Sequence, residues 1–287
     1  MNLFLSGYEN SNFLENFKKE DKKVILVAHF GTTHEDTREK TLDLFNKEIE
    51  KIFPDFEIRE CYTSRIINKK LQSKNIFKDN PIEAIEKIIK DNFTHLLVIS
   101  SNIIDGIEYE ALLKNIESFK SNFKELRITP PLLSSPEIYI EVVKILNKTF
   151  GDFFKDKALL MVGHGTHDSS NSAYLGVDYI CKYLGYNYFV GTIEGFPNLD
   201  EIISILKKEN IKEVTLTPFM FVAGEHAKND ISIDWKDELE KNNFKVNINL
   251  TPLGEIKEIR EIFGKFGKFL LENKKEDIIE KKYNYSK

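Results

Sequence analysis

Ala158-Leu159-Leu160-Met161-Val162-Gly163-His164-Gly165-Thr166 is an apolar run closed by a glycine–histidine–glycine–threonine turn. Earlier in the chain, Ile25-Leu26-Val27-Ala28-His29-Phe30-Gly31-Thr32 has the same form, with Gly-Thr matched to Gly-Thr. A short continuous apolar run of this kind spells a strand buried on both faces, as in a parallel sheet. Two such runs carrying the same turn in two halves of one chain point to an internal duplication.

Working outward, strand-like and helix-like segments alternate. Lys23 to His29 reads as a strand, and Thr33-His34-Glu35-Asp36 supplies a capping-box-like helix start. Leu42, Phe45, Ile49 and Ile52 recur at helical spacing and predict one amphipathic helix ending near Pro54. Residues 56–62 alternate like a strand, Pro81 opens a helix, His95 to Ser100 is the next strand, a helix follows from about Glu108, and Leu126 to Thr129 closes the set. The second half repeats the plan, with strands at 158–162, at 188–193 and at 214–218, the last leading into Phe219-Met220-Phe221-Val222. The expected fold class is α/β, two similar domains, each a parallel sheet flanked by helices. The polar stretch from Thr149 to Asp156 sets the expected boundary, giving an N-terminal domain over 1–150 and a C-terminal domain over 151–287. The Lys/Glu-rich residues beyond about Asn273 are expected to form a frayed helix or tail.

Composition limits what the chain can do. At 287 residues, 41% hydrophobic and 30% charged, it can bury a core, which excludes a disordered or fibrous protein. A net charge of −5 argues against a general binder of nucleic-acid phosphates. Cys61 and Cys181 lie too far apart for a metal or redox motif. No stretch approaches the roughly 20 apolar residues of a membrane span, and the first ten residues lack the basic region of a signal peptide. A cytoplasmic protein is the expectation, and a homo-oligomer is compatible with the sequence.

The chemistry collects at strand ends. His164 closes one apolar run, Glu194 follows Tyr188 to Ile193, and His226 follows Phe219 to Val222 within Gly224-Glu225-His226-Ala227. In an open α/β sheet the carboxyl ends of the strands border the ligand crevice, and two imidazoles with one carboxylate suit a borderline divalent metal. A lone histidine is more often a satisfied structural residue; three metal-capable side chains at matching strand ends reverse that weighting. Aligned on Gly-Thr, Phe30 stands where His164 stands, and Glu108 where His226 stands. Metal chemistry is therefore expected in the second half and an organic partner on the first, with the crevice between them as the pocket. His167 is expected to face solvent or cap a helix, His34 and His95 to be structural, and His29 either to line the pocket or to bond locally. Phe219 to Phe221 is divided between core and a stacking platform. No dinucleotide fingerprint, phosphate loop or Gly-x-Ser-x-Gly elbow occurs.

Phe30-Gly31-Thr32, Leu132-Leu133-Ser134-Ser135, Gly163-His164-Gly165, Glu194 and Val222-Ala223-Gly224-Glu225-His226-Ala227-Lys228-Asn229-Asp230, taken in order, resemble the anaerobic-type cobalt chelatases. These sirohydrochlorin cobaltochelatases are class II chelatases related in fold to protoporphyrin ferrochelatase, and the resemblance spans about Lys22 to Leu271. It implies two α/β domains with a tetrapyrrole between them. It also implies ATP-independent insertion of Co²⁺ into sirohydrochlorin, or its precorrin form, on the route to cobalamin, with cobalt as substrate metal and neither nucleotide nor organic cofactor. His164, Glu194 and His226 match the metal-handling residues of the family. His29 before Phe30, and the stretch before about Asp21, depart from its pattern.

Nitrogen and oxygen ligands do not select cobalt over iron or nickel. An iron or nickel chelatase acting on a related tetrapyrrole, a non-catalytic tetrapyrrole or metal carrier, and a metal-dependent hydrolase stay open as alternatives. For the carboxylates of such a macrocycle, the candidate donors are the backbone N–H groups after Phe30-Gly31-Thr32, the hydroxyls of Ser134 and Ser135, and Arg65, the last chosen by position alone.

Overall fold

The structure, a computed structural model, describes residues 7–224 and 227–285. The first part of the chain forms β1 (Tyr8–Asn10), β2 (Lys23–His29), α1 (Glu35–Lys40), α2 (Leu42–Ile52), β3 (Glu57–Tyr62), α3 (Arg65–Gln72), α4 (Pro81–Lys90), β4 (His95–Ser100), α5 (Ile107–Glu117), β5 (Glu125–Ile128) and α6 (Pro136–Phe150). There follow β6 (Lys157–Gly163), α7 (Ser172–Tyr183), β7 (Tyr188–Thr192), α8 (Leu199–Lys208), β8 (Glu213–Pro218), a π-helical segment (Ala227–Trp235), α9 (Lys236–Lys241), β9 (Lys245–Ile248), α10 (Lys257–Glu272), β10 (Asn273–Lys275) and α11 (Ile278–Tyr285).

Two four-stranded parallel sheets result, ordered β3-β2-β4-β5 and β7-β6-β8-β9. The same order in both halves is the architecture expected of a duplication. Hydrogen bonds beyond the strand ends repeat as well. Thr63 N–H donates to His29 O (2.8 Å) and Ser64 N–H to Phe30 O (3.2 Å); Ile193 N–H donates to Gly163 O (3.1 Å) and Glu194 N–H to His164 O (2.8 Å). Phe30 and His164 are thus structural equivalents, as are Ser64 and Glu194.

Period-2 alternation divides each central strand between two cores. Ile25 and Val27 of β2, and Leu159 and Met161 of β6, face one shared core that also takes Phe263 and Phe266 of α10. Their neighbours Val24, Leu26 and Ala28 face an outer core under α4 and α5, and Ala158, Leu160 and Val162 face another under α8 and α9. Phe221, from the loop after β8, joins Phe45, Phe263 and His29 in an aromatic cluster, so the stretch 219–221 belongs to the core.

Three local expectations need correction. Thr33 to Asp36 forms no capping box: His34 caps α1 without a side-chain bond. Asn80 with Glu83 and Asn198 with Glu201 form the boxes instead, at equivalent helices of the two halves. Leu42, Phe45, Ile49 and Ile52 share one helix that ends near Pro54 as expected, but the helix start at Thr33 to Asp36 belongs to a separate α1, divided from α2 at Thr41 (φ −123°, ψ −75°), whose hydroxyl donates to Thr37 O at 2.6 Å. The chain beyond Asn273 begins as a strand, not a frayed end: β10 pairs antiparallel with β1. The N-terminal stretch is also built in. Phe13 is fully buried, and the Arg127 guanidinium donates to Ser11 O (2.8 Å), Leu270 O (2.7 Å) and Asn273 O (3.1 Å), clamping both chain ends together.

Candidate metal and tetrapyrrole site

His164 is the first residue after β6 and Glu194 the second after β7, so adjacent parallel strands deliver both side chains to one sheet edge. Two backbone bonds between the loops, Ile193 N–H to Gly163 O and Glu194 N–H to His164 O, fix their register. Gly165 makes the approach feasible. It sits at φ +79°, and a Cβ there would stand 2.6 Å from Gly195 N, a distance that backbone cannot accommodate without moving. Gly31, its equivalent in the first half, has φ +98°, and a Cβ there would meet the Tyr62 ring at 2.5 Å.

The imidazole Nδ1 of His164 lies 3.1 Å from Gly165 O and 3.9 Å from Glu194 Oε2. A carbonyl only accepts, so Nδ1 carries the proton and the neutral ring has its lone pair on Nε2, the atom that can ligate a metal. Both side chains are about half exposed, 45% and 53%, which leaves room for an exchanging ion. Asp168 secures the following turn. Its carboxylate accepts from Ser170 and from Thr166 Oγ1 (2.8 Å), and these bonds hold it below the usual carboxylate range. Asn171 bridges the two loops, its Oδ1 accepting from Thr166 N–H (3.2 Å) and its amide donating to Phe196 O (2.7 Å).

His226 lies outside the described residues. Among those described, no group of three histidine, cysteine, aspartate or glutamate side chains gathers into a metal cluster; the pair of His164 and Glu194 is what the structure brings together. The loop leading to His226 is anchored at its start, where Thr37 Oγ1 of α1 donates to Ala223 O at 3.3 Å across the two halves. His167 is exposed.

The residues expected to meet an organic partner surround the first sheet. Phe30 stands after β2 and is 44% exposed, and Phe196, which sequence reading passed over, is 56% exposed after β7. Thr32 is buried, its hydroxyl accepting from His34 N–H at 3.2 Å. Arg65 is the exposed first residue of α3. Ser135 caps α6, accepting from Ile138 N–H, while the buried Ser134 Oγ has no hydrogen-bond partner.

His29 resolves to local bonding. It is fully buried, with Nδ1 2.9 Å from Ser101 Oγ and Nε2 3.0 Å from Asn46 Oδ1. The Asn46 amide donates to Glu60 Oε2 (2.7 Å). A carboxylate only accepts, so the Asn46 oxygen faces the ring, Nε2–H donates, and Nδ1 accepts from Ser101. Burial pushes the His29 pKa down and keeps the ring neutral.

Two parallel sheets of identical order, with His164 and Glu194 paired at adjacent strand ends of the second, make an α/β protein of the chelatase-like class, and comparison with known proteins agrees. SirB from Bacillus subtilis with Fe³⁺ superposes with a TM-score of 0.62 at 14% identity, covering 86% of this chain and 94% of that one. A sirohydrochlorin cobaltochelatase of Salmonella typhimurium is 30% identical over 247 residues, 84% of this chain and 94% of its own. The sirohydrochlorin cobaltochelatase CbiKC of Nitratidesulfovibrio vulgaris is 30% identical over 226 residues, 76% of this chain and 80% of its own. The family model described as cobalt chelatase (CbiK) matches residues 23–268. The chain belongs to the cobalt chelatase family.

Proposed function

We propose that the protein inserts Co²⁺ into sirohydrochlorin, as the names of its curated relatives suggest, with the metal as substrate and neither nucleotide nor organic cofactor taking part. The observation that carries the reading is the His164–Glu194 pair, half exposed on adjacent strand ends in a cobalt chelatase chain. Metallation strips water from the cation and takes two pyrrole N–H protons. His164 Nε2 serves as ligand and then as proton acceptor, Glu194 adds negative charge and relays a proton, and His226 completes the ligand set. Few protein ligands and open positions let the ion leave, which a closed structural cage would prevent.

Phe30 and Phe196 offer apolar faces to a flat ring. Gly31, Thr32, Ser134, Ser135 and Arg65 supply donors to its carboxylates. The second half carries the metal chemistry and the first binds the macrocycle. A cytoplasmic location fits this reading; among the described residues, no helix is long and apolar enough to cross a membrane.

The test is spectrophotometric. Purified protein with sirohydrochlorin and Co²⁺, Fe²⁺ or Ni²⁺ in parallel should shift the macrocycle absorption over many turnovers, fastest with Co²⁺. A shift that stops at one equivalent of protein contradicts catalysis and identifies a carrier. Faster turnover with Fe²⁺ or Ni²⁺ contradicts the choice of metal.

A further inference from the structure

A cavity of about 150 Å³ opens beside the carboxyl ends of β2 and β3, away from His164 and Glu194. Its lining includes Thr32, Glu35, Arg38, Tyr62, Lys74 and Lys78. Tyr62 is fully buried, and its hydroxyl has no hydrogen-bond partner. Leaving a buried donor unmade costs about 1–3 kcal/mol, so an orphaned phenol in a cavity asks for a guest. Burial pushes its pKa up, so the phenol remains a donor at neutral pH.

The cations around it favour an acceptor. Arg38 is held by Asp43 (3.3 Å) and Glu35 (3.5 Å), and Lys78 by Glu60, yet each has N–H groups to spare. Lys74 makes no ion pair among the described residues. Lys78 also lies over the Tyr62 ring, 5.2 Å from its centroid, on a ring that packs against Gly31. The Thr32 hydroxyl accepts from His34 N–H and keeps its own proton to donate. At about 30 Å³ per water, the cavity holds about five waters, enough for a carboxylate on a short arm. Its location suits the crevice: α1, which contributes Glu35 and Arg38, touches the second half through Thr37 and Ala223.

We propose that this cavity is an oxyanion subsite in which Tyr62, Thr32 and the free N–H groups of Arg38, Lys74 and Lys78 receive one carboxylate arm of the tetrapyrrole. The assignment of the arm rests on the function proposed above; a free oxyanion such as inorganic phosphate has the same acceptor chemistry, and the test separates the two.

Tyr62→Phe removes one oxygen and leaves the ring in place. Because that oxygen is unpartnered, the thermal midpoint of the variant should equal or exceed that of the wild type. Two titrations then decide. With sirohydrochlorin, the KM of Tyr62→Phe should rise about fivefold to tenfold with kcat held, the size of one lost hydrogen bond, and Lys74→Met should act in the same direction. With inorganic phosphate alone, a midpoint that rises in the wild type but not in Tyr62→Phe supports the subsite with a free oxyanion as its guest. An unchanged KM together with no phosphate effect in the wild type overturns the subsite. If the wild type neither binds nor metallates sirohydrochlorin, the proposed function fails, and the phosphate titration alone decides the cavity: stabilisation lost in Tyr62→Phe supports it, and no stabilisation overturns it.

Discussion

Replacing Gly165 by alanine tests whether close contact between the two loops positions His164 and Glu194. Two costs add. An L-residue at φ +79° loses about 1–2 kcal/mol to the left-handed conformation. The new methyl would also lie 2.6 Å from Gly195 N and 2.7 Å from Thr192 Cβ, and relieving such overpacking costs about 1–3 kcal/mol more. Gly185 supplies the control: it has φ +77° with nothing within 4 Å of a Cβ, so Gly185→Ala carries the first cost without the second. At roughly 3 °C per kcal/mol for a chain of this size, Gly165→Ala should melt about 6–15 °C lower than wild type, and Gly185→Ala about 3–6 °C lower. Melting is followed by circular dichroism and metallation by absorption. Gly165→Ala should lose at least about tenfold in turnover, because moving Gly195 moves Glu194 and a displacement near 1 Å is costly to catalysis; Gly185→Ala should retain the wild-type rate. Equal melting losses, or full turnover in Gly165→Ala, would refute the reasoning.

Other perturbations follow from the same structure. His29 is buried and neutral with its pKa pushed down, so between its folded value and about 6.5 the unfolded chain binds more protons, and stability falls as pH drops through that window. Urea midpoints from pH 8 to pH 5 should show a slope of up to about 1.4 kcal/mol per pH unit from this group, flattened in His29→Gln; His95, also pushed down by burial, acts in the same direction. Arg127→Met strands the carbonyls of Ser11, Leu270 and Asn273; a loss of about 2–4 kcal/mol should accompany faster amide exchange in β1 and β10, and unchanged exchange there would contradict the clamp.

The strands were legible because buried parallel strands write themselves as apolar runs, and the matched Gly-Thr turns disclosed the repeat that the sheet orders and paired hydrogen bonds display. The placing of His164 and Glu194 at neighbouring strand ends was legible for the same reason: each directly follows such a run. What escaped reading depends on distant contacts. The β1–β10 pairing joins residues at opposite ends of the chain and involves Asn273, Lys274 and Lys275, which carry no strand signal. The break at Thr41 sets its side chain against Gly254, where a Cβ would lie 2.9 Å away, a long-range contact that no local pattern announces. The Tyr62 cavity gathers residues from α1, β3 and the segment after α3, a juxtaposition that no local motif encodes. Thr33 to Asp36 had the letters of a capping box, but the backbone enters α1 one residue later, at His34.

The most direct test is the initial rate of cobalt insertion into sirohydrochlorin by His164→Ala. The side chain is half exposed and outside every core, so the thermal midpoint should stay within about 1–2 °C of wild type. The rate should fall by about 10²-fold or more, the usual range for losing a general base. A folded His164→Ala protein inserting cobalt within about twofold of the wild-type rate would contradict the account, since twofold is well under the effect of removing such a group.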